Sequence, residues 1–85
     1  MDKIDIDILA TNNGDLKILE NHTCIAINKL RLTARVTCIF DSDEIQRLKF
    51  LSTPVLLING EVVSQGKMIS SKQIQSILKD FIDLR

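Results

Sequence analysis

The sequence predicts a single α/β domain with element order βαβαββα, and three observations predict it. The apolar residues change period along the chain, from two residues to about 3.6 and back again. An Asn-Gly pair stands between two apolar runs near the C-terminal third, the strongest short signal for a hairpin. And 85 residues with 45% hydrophobic content fit one domain with a small core rather than a disordered chain or several domains.

The elements follow in order. Ile4, Ile6 and Ile8 alternate with Asp5 and Asp7, the period-2 pattern of a half-buried strand. Thr11-Asn12-Asn13-Gly14 breaks that pattern, with Asn13 as the expected helix cap and Asp15 favourably placed in the first turn. Leu16, Leu19, Thr23, Ile27 and Leu30 then share one arc, so residues 14–30 read as an amphipathic helix. Residues 33–40 read as a second strand, with Ala34, Val36, Cys38 and Phe40 on one face. Asp41-Ser42-Asp43-Glu44 supplies capping and first-turn residues for a short helix whose apolar face is Ile45 and Leu48, and Thr53-Pro54 stops it. Val55-Leu56-Leu57-Ile58 is an unbroken apolar run, as in a strand buried on both faces, and Glu61-Val62-Val63 returns after Asn59-Gly60. Gly66 falls in a loop, and Ser70 or Ser71 caps a last helix with Ile74, Ile77, Leu78 and Phe81 on one face. A helix between the first two strands implies parallel pairing with a right-handed crossover; the last two strands form an antiparallel hairpin.

Composition excludes several function classes. Eleven Lys and Arg balance eleven Asp and Glu, so the formal net charge is +0 and no nucleic-acid partner is expected. Trp and Tyr are absent, which removes the usual stacking platforms for bases and sugars. No run approaches the roughly 20 apolar residues of a membrane span, so no membrane partner is expected and a cytoplasmic location with reduced thiols is the natural reading. Two cysteines and one histidine cannot supply a four-ligand structural zinc site, and neither a metal nor another cofactor is expected.

The residues with chemical potential are few. Cys24 lies two turns into the first helix and Cys38 on the apolar face of the second strand, so both are expected as inert core thiols. His22 and Cys24 are two residues apart, do not share a helix face, and do not make a catalytic pair; His22 is expected to be solvated. Lys29, Arg31 and Arg35 read as a small solvated basic cluster at the end of the first helix. Ile18 and Ile25 lie opposite the main apolar arc, where the last helix covers them or leaves a stripe suited to a partner or a homodimer.

The element order, with Ser52-Thr53-Pro54-Val55 opening the third strand, resembles the thioredoxin-like superfamily, in particular its small glutaredoxin-sized members. Residues Thr53 to Val63, closed by Asn59-Gly60, look like the thioredoxin stretch in which a Thr-Pro with a cis peptide bond leads into a hairpin. On the residues alone that bond is expected to be trans; the resemblance makes cis the expectation. It also implies a four-stranded mixed sheet with the first and last helices on one face and the middle helix on the other. Members of this family attack disulfides with a cysteine of a Cys-x-x-Cys motif placed where the first strand turns into the first helix. Here the matching stretch is Asn13-Gly14-Asp15-Leu16, and neither cysteine is present. Asp7 stands where the family keeps a buried carboxylate, with no thiol for it to serve.

The resemblance therefore implies the fold without its usual catalysis. The expected function is a redox-inactive protein- or peptide-binding module, not an enzyme, with a binding surface at Thr11, Asn12, Asn13, Gly14, Asp15, Thr53, Pro54 and Gly66. The competing reading is a thiol–disulfide oxidoreductase or redox sensor using Cys24 or Cys38.

Overall fold

A computed structural model describes residues 3–40, 42–47 and 52–83. The chain runs through β1 (Ile4–Leu9), α1 (Asn13–Leu30), β2 (Ala34–Ile39), α2 (Ser42–Gln46), β3 (Val55–Ile58), β4 (Glu61–Gln65) and α3 (Ser71–Asp83). The strands form one mixed sheet in the order β2-β1-β3-β4. β1 is parallel to β2, with Ile4 opposite Ala34 and Leu9 opposite Ile39. It is antiparallel to β3, which pairs antiparallel with β4.

Strand alternation decides which face is covered. Ile4, Ile6 and Ile8 of β1 and Leu56 and Ile58 of β3 point to one face, where they pack with Leu16, Leu19 and Ala26 of α1 and Ile74 and Leu78 of α3. Leu9 and Val55 point the other way and meet Ile45 of α2. That second face is covered less, because α2 is a single turn of five residues closed by the Arg47 N–H donating to the Asp43 carbonyl at 3.3 Å. Among the described residues the fold thus has two long helices and one helical turn. Asp41 and Leu48, read from sequence as parts of the short helix, lie outside the described residues.

Local chemistry sets the boundaries. Asn12, not Asn13, caps α1: its extended backbone lets the side-chain oxygen accept from the N–H groups of Gly14 (2.7 Å) and Asp15 (3.2 Å). Two adjacent asparagines are equal candidates by residue type, and the chain takes the one that brings Asn13 into the first turn. α1 ends on Arg31 in the left-handed region (φ 54°), with the Leu32 N–H returning to the Ile27 carbonyl at 3.1 Å, a closure more often made by glycine. Asn59 (φ 52°) and Gly60 (φ 83°) both carry positive φ, the requirement of the tight hairpin turn between β3 and β4. At α3, Ser70 Oγ accepts from the Gln73 N–H (3.2 Å) while Gln73 Oε1 accepts from the Ser70 N–H (2.9 Å), so cap and first turn satisfy each other.

Ile18 and Ile25 stay exposed, at 46% and 39%, because α3 packs beside α1 rather than over its outer surface. His22, expected in solvent, is half-buried, with Nδ1 2.9 Å from the Ile69 carbonyl oxygen; that acceptor requires the proton on Nδ1. Among the described residues no helix is long and apolar enough to cross a membrane.

Candidate functional site

Strand β1 ends at Leu9, and the turn at Thr11-Asn12 delivers the chain into α1. The same end of the sheet receives the segment that enters β3, so Thr11 Oγ1 lies 3.4 Å from Thr53 Oγ1. The Thr53–Pro54 peptide bond is cis. The Pro54 carbonyl accepts from the Gly66 N–H at 2.9 Å, and Ser52 N–H donates to Gln65 Oε1 at 3.2 Å, which ties the entry to β3 to the exit from β4. Gly66 has φ 73°, which strains any side chain, and a Cβ there would stand 3.2 Å from the Ser52 Cβ and press it aside by a few tenths of an ångström.

These contacts bring Thr11 to Thr53 and Pro54 to Gly66, with Asn12, Asn13, Gly14 and Asp15 continuing from Thr11 into the first turn of α1. Thr11, Asn12, Asn13, Gly14 and Gly66 are exposed, and Asp15, Thr53 and Pro54 are half-buried. The surface offers hydroxyls, amides, one carboxylate and a proline ring, with no thiol. Anion capture by the helix start is poorly served: the Asn12 side chain already takes the N–H groups of Gly14 and Asp15, and Asp15 adds negative charge. Among the described residues no group of three or more His, Cys, Asp or Glu side chains is placed to hold a metal ion.

Neither cysteine is a core residue. Cys24 and Cys38 are both exposed, which corrects the expectation of buried thiols. Cys38 stands on β2, an edge strand, and Cys24 on an exposed position of α1. The Cys38 thiol donates to Glu20 Oε2 at 3.2 Å. Although the residue is exposed, partial desolvation of its sulfur pushes the pKa up from 9.0 to about 11, aided by the hydrogen bond to Glu20, by the negative charge of Glu20 and by that of Cys24. A thiol held protonated is a poor nucleophile near neutral pH. Glu20 is the residue that sequence reasoning missed, because nothing in the spacing of residues 20 and 38 signals the contact.

The basic cluster divides as well. Arg35 lies on the face of β2 opposite α1 and α3, in a polar cavity of about 400 Å³ with Asp5, Asp7, Thr37, Asn59 and Gly60, and so is separated from Lys29 and Arg31 at the end of α1. Asp7 is therefore half-buried on the open side of the sheet. A larger groove of about 550 Å³ runs between β4 and α3 over Val63, Ile69 and Ile77 and shares no residue with the Thr11–Thr53 surface.

A family model described as a thioredoxin domain matches residues 4–79. No curated protein matches the chain.

Proposed function

The chain belongs to the thioredoxin domain family, and from that premise we propose that it has given up disulfide exchange at the start of α1 and uses the same surface to bind a protein or peptide. One observation carries the reading. The turn into α1 lies beside Thr53-Pro54, as the chemistry of the family requires, while positions 13–16 hold Asn, Gly, Asp and Leu and supply no sulfur. Backbone recognition of an extended segment next to Pro54 needs no thiol and survives that loss. Thr11, Asn12, Asn13, Gly14, Asp15, Thr53, Pro54 and Gly66 form the proposed surface.

The test has two arms. In a coupled assay with a disulfide-bonded protein substrate, the purified chain is expected to add nothing to the rate of the reductant alone. Against a partner isolated by pull-down, Pro54→Ala is expected to weaken binding about tenfold or more with the fold retained; unchanged affinity would place the site elsewhere. The exposure of Cys24 and Cys38 favours a second reading, redox chemistry at those thiols. Turnover that disappears in Cys24→Ser or Cys38→Ser would establish it in place of the first.

A further inference from the structure

Among the described residues no strand lies beyond either edge of the sheet, and the two edges are built differently. The pairing of β4 with β3 carries a register shift between Leu56 and Leu57. Such bulges distort an edge and discourage it from templating another strand. The pairing of β2 with β1 runs unbroken over all six residues, Ala34 to Ile39, and contains no proline.

In a parallel ladder alternate residues direct both backbone groups to the same neighbour. Ile4 N–H donates to the Thr33 carbonyl and Ala10 N–H to the Ile39 carbonyl, each at 3.2 Å. Residues 33, 35, 37 and 39 therefore serve β1, and Ala34, Val36 and Cys38 turn their N–H and C=O groups outward. No described strand lies on that side.

The side chains flanking this edge complement themselves. Arg35 and Asp7 line the same cavity on the open face, and Asp7 pairs across the ladder with Thr37. Antiparallel pairing of two β2 strands about a two-fold axis at Val36 sets each Arg35 opposite Thr37 of the other copy. Its guanidinium then reaches toward Asp7, one strand further in. On the helix-covered face Val36 meets Val36, and Ala34 meets Cys38. The formal net charge of +0 adds no long-range repulsion between copies.

We propose that β2 is a homodimerisation edge, where a second copy of this chain pairs antiparallel through Ala34, Val36 and Cys38 and joins two four-stranded sheets into one. The proposal does not rest on the binding function above and uses none of its residues. A single ladder buries less than the roughly 1,200–2,000 Å² of a standard stable interface, so association is weak and concentration-dependent.

Sedimentation of the full chain from micromolar to millimolar concentration tests it, with a monomer–dimer equilibrium expected. Cys38→Pro removes an outward N–H and no bond to β1, so it should weaken the dimer at least tenfold while the circular-dichroism spectrum holds, and Cys38→Ala, which loses the same contact with Glu20 but keeps the N–H, should leave the dimer in place. Arg35→Asp should weaken it too, and Arg35→Asp combined with Asp7→Arg should restore it. Should Cys38→Pro misfold, a third arm decides. In a Cys24→Ser background, Ala34→Cys should give an interchain disulfide to Cys38 when glutathione disulfide, itself reduced to glutathione, takes up the electrons and protons. A monomer throughout the range would overturn the proposal. So would a dimer indifferent to Cys38→Pro and Arg35→Asp but broken by Ile25→Lys, which would move the contact to α1.

Discussion

Glu20 and Cys38 show how one contact sets the chemistry of a side chain. The carboxylate 3.2 Å from the sulfur accepts a hydrogen bond from the thiol and opposes loss of its proton. With the folded-state pKa raised from 9.0 to about 11, the folded chain holds this proton more tightly than the unfolded one. The stabilisation is therefore complete below about pH 9 and disappears as pH rises through about 11. In Cys24→Ser protein, alkylation of Cys38 should be slow at pH 8 and accelerate toward pH 11; intact-mass kinetics follow it directly. Glu20→Gln should move that profile to lower pH without returning it fully, because partial desolvation of the sulfur contributes first. A profile that Glu20→Gln leaves in place would remove Glu20 from the account. Gly66 poses a different single-residue demand. Gly66→Ala combines an unfavourable positive φ with a 3.2 Å approach to Ser52, and urea unfolding should show a loss of more than about 1 kcal/mol.

At the scale of elements, the helix termini and faces separate what residue type decides from what position decides. Asn12→Ala should cost about 1 kcal/mol, since it removes the acceptor for two N–H groups. Asn13→Ala should stay within about 0.5 kcal/mol, as a substitution on an exposed first turn. Equal losses at both positions would mean that the cap is shared. In α3, Ile74 is fully buried and Ile82 is 38% exposed. Ile74→Ala should cost about 2–5 kcal/mol, and Ile82→Ala far less, by the same denaturation measurement. The face of α3 was legible in the sequence because Ile74, Ile77, Leu78 and Phe81 recur at helical spacing with polar residues between them. The capping residue of α1 was not, since Asn12 and Asn13 differ only in the backbone conformation each adopts.

Across the whole molecule, size limits stability and the two faces of the sheet divide the work. The radius of gyration, 12.2 Å, is what a folded chain of this length requires. One face carries the core under α1 and α3; the other is half-open, with Asp5, Asp7, Arg35 and Thr37 around a polar cavity. A domain this small buries only about 60% of its unfolded surface, so a single core truncation such as Ile74→Ala takes a large share of its stability. The architecture also permits a direct test of the lost-chemistry reading. Asn13→Cys with Leu16→Cys places one thiol at the exposed start of α1, where the helix terminus lowers its pKa, and a second at a buried position on the next turn. Reduction of a disulfide substrate by this variant, and not by the parent, is expected. An inert double variant would show that the surface lacks more than sulfur.

The sequence by itself determined the elements and the inward face of most of them. Alternation in β1, the continuous apolar run of β3, the Asn59-Gly60 turn and the spacing in α3 are local patterns, and local backbone geometry converts them directly into structure. It also determined that no thiol stands at positions 13–16. Tertiary structure decided which strands lie at the edges, and with that the exposure of Cys38 and the contact of Glu20 with it; it also left Cys24 exposed on α1 and separated Arg35 from Lys29 and Arg31. The physical reason is that an apolar face can be read along one strand, whereas burial depends on what other elements place over it. β2 alternates as a core strand should, yet the order β2-β1-β3-β4 leaves it at the rim, with one backbone edge and one thiol open to solvent.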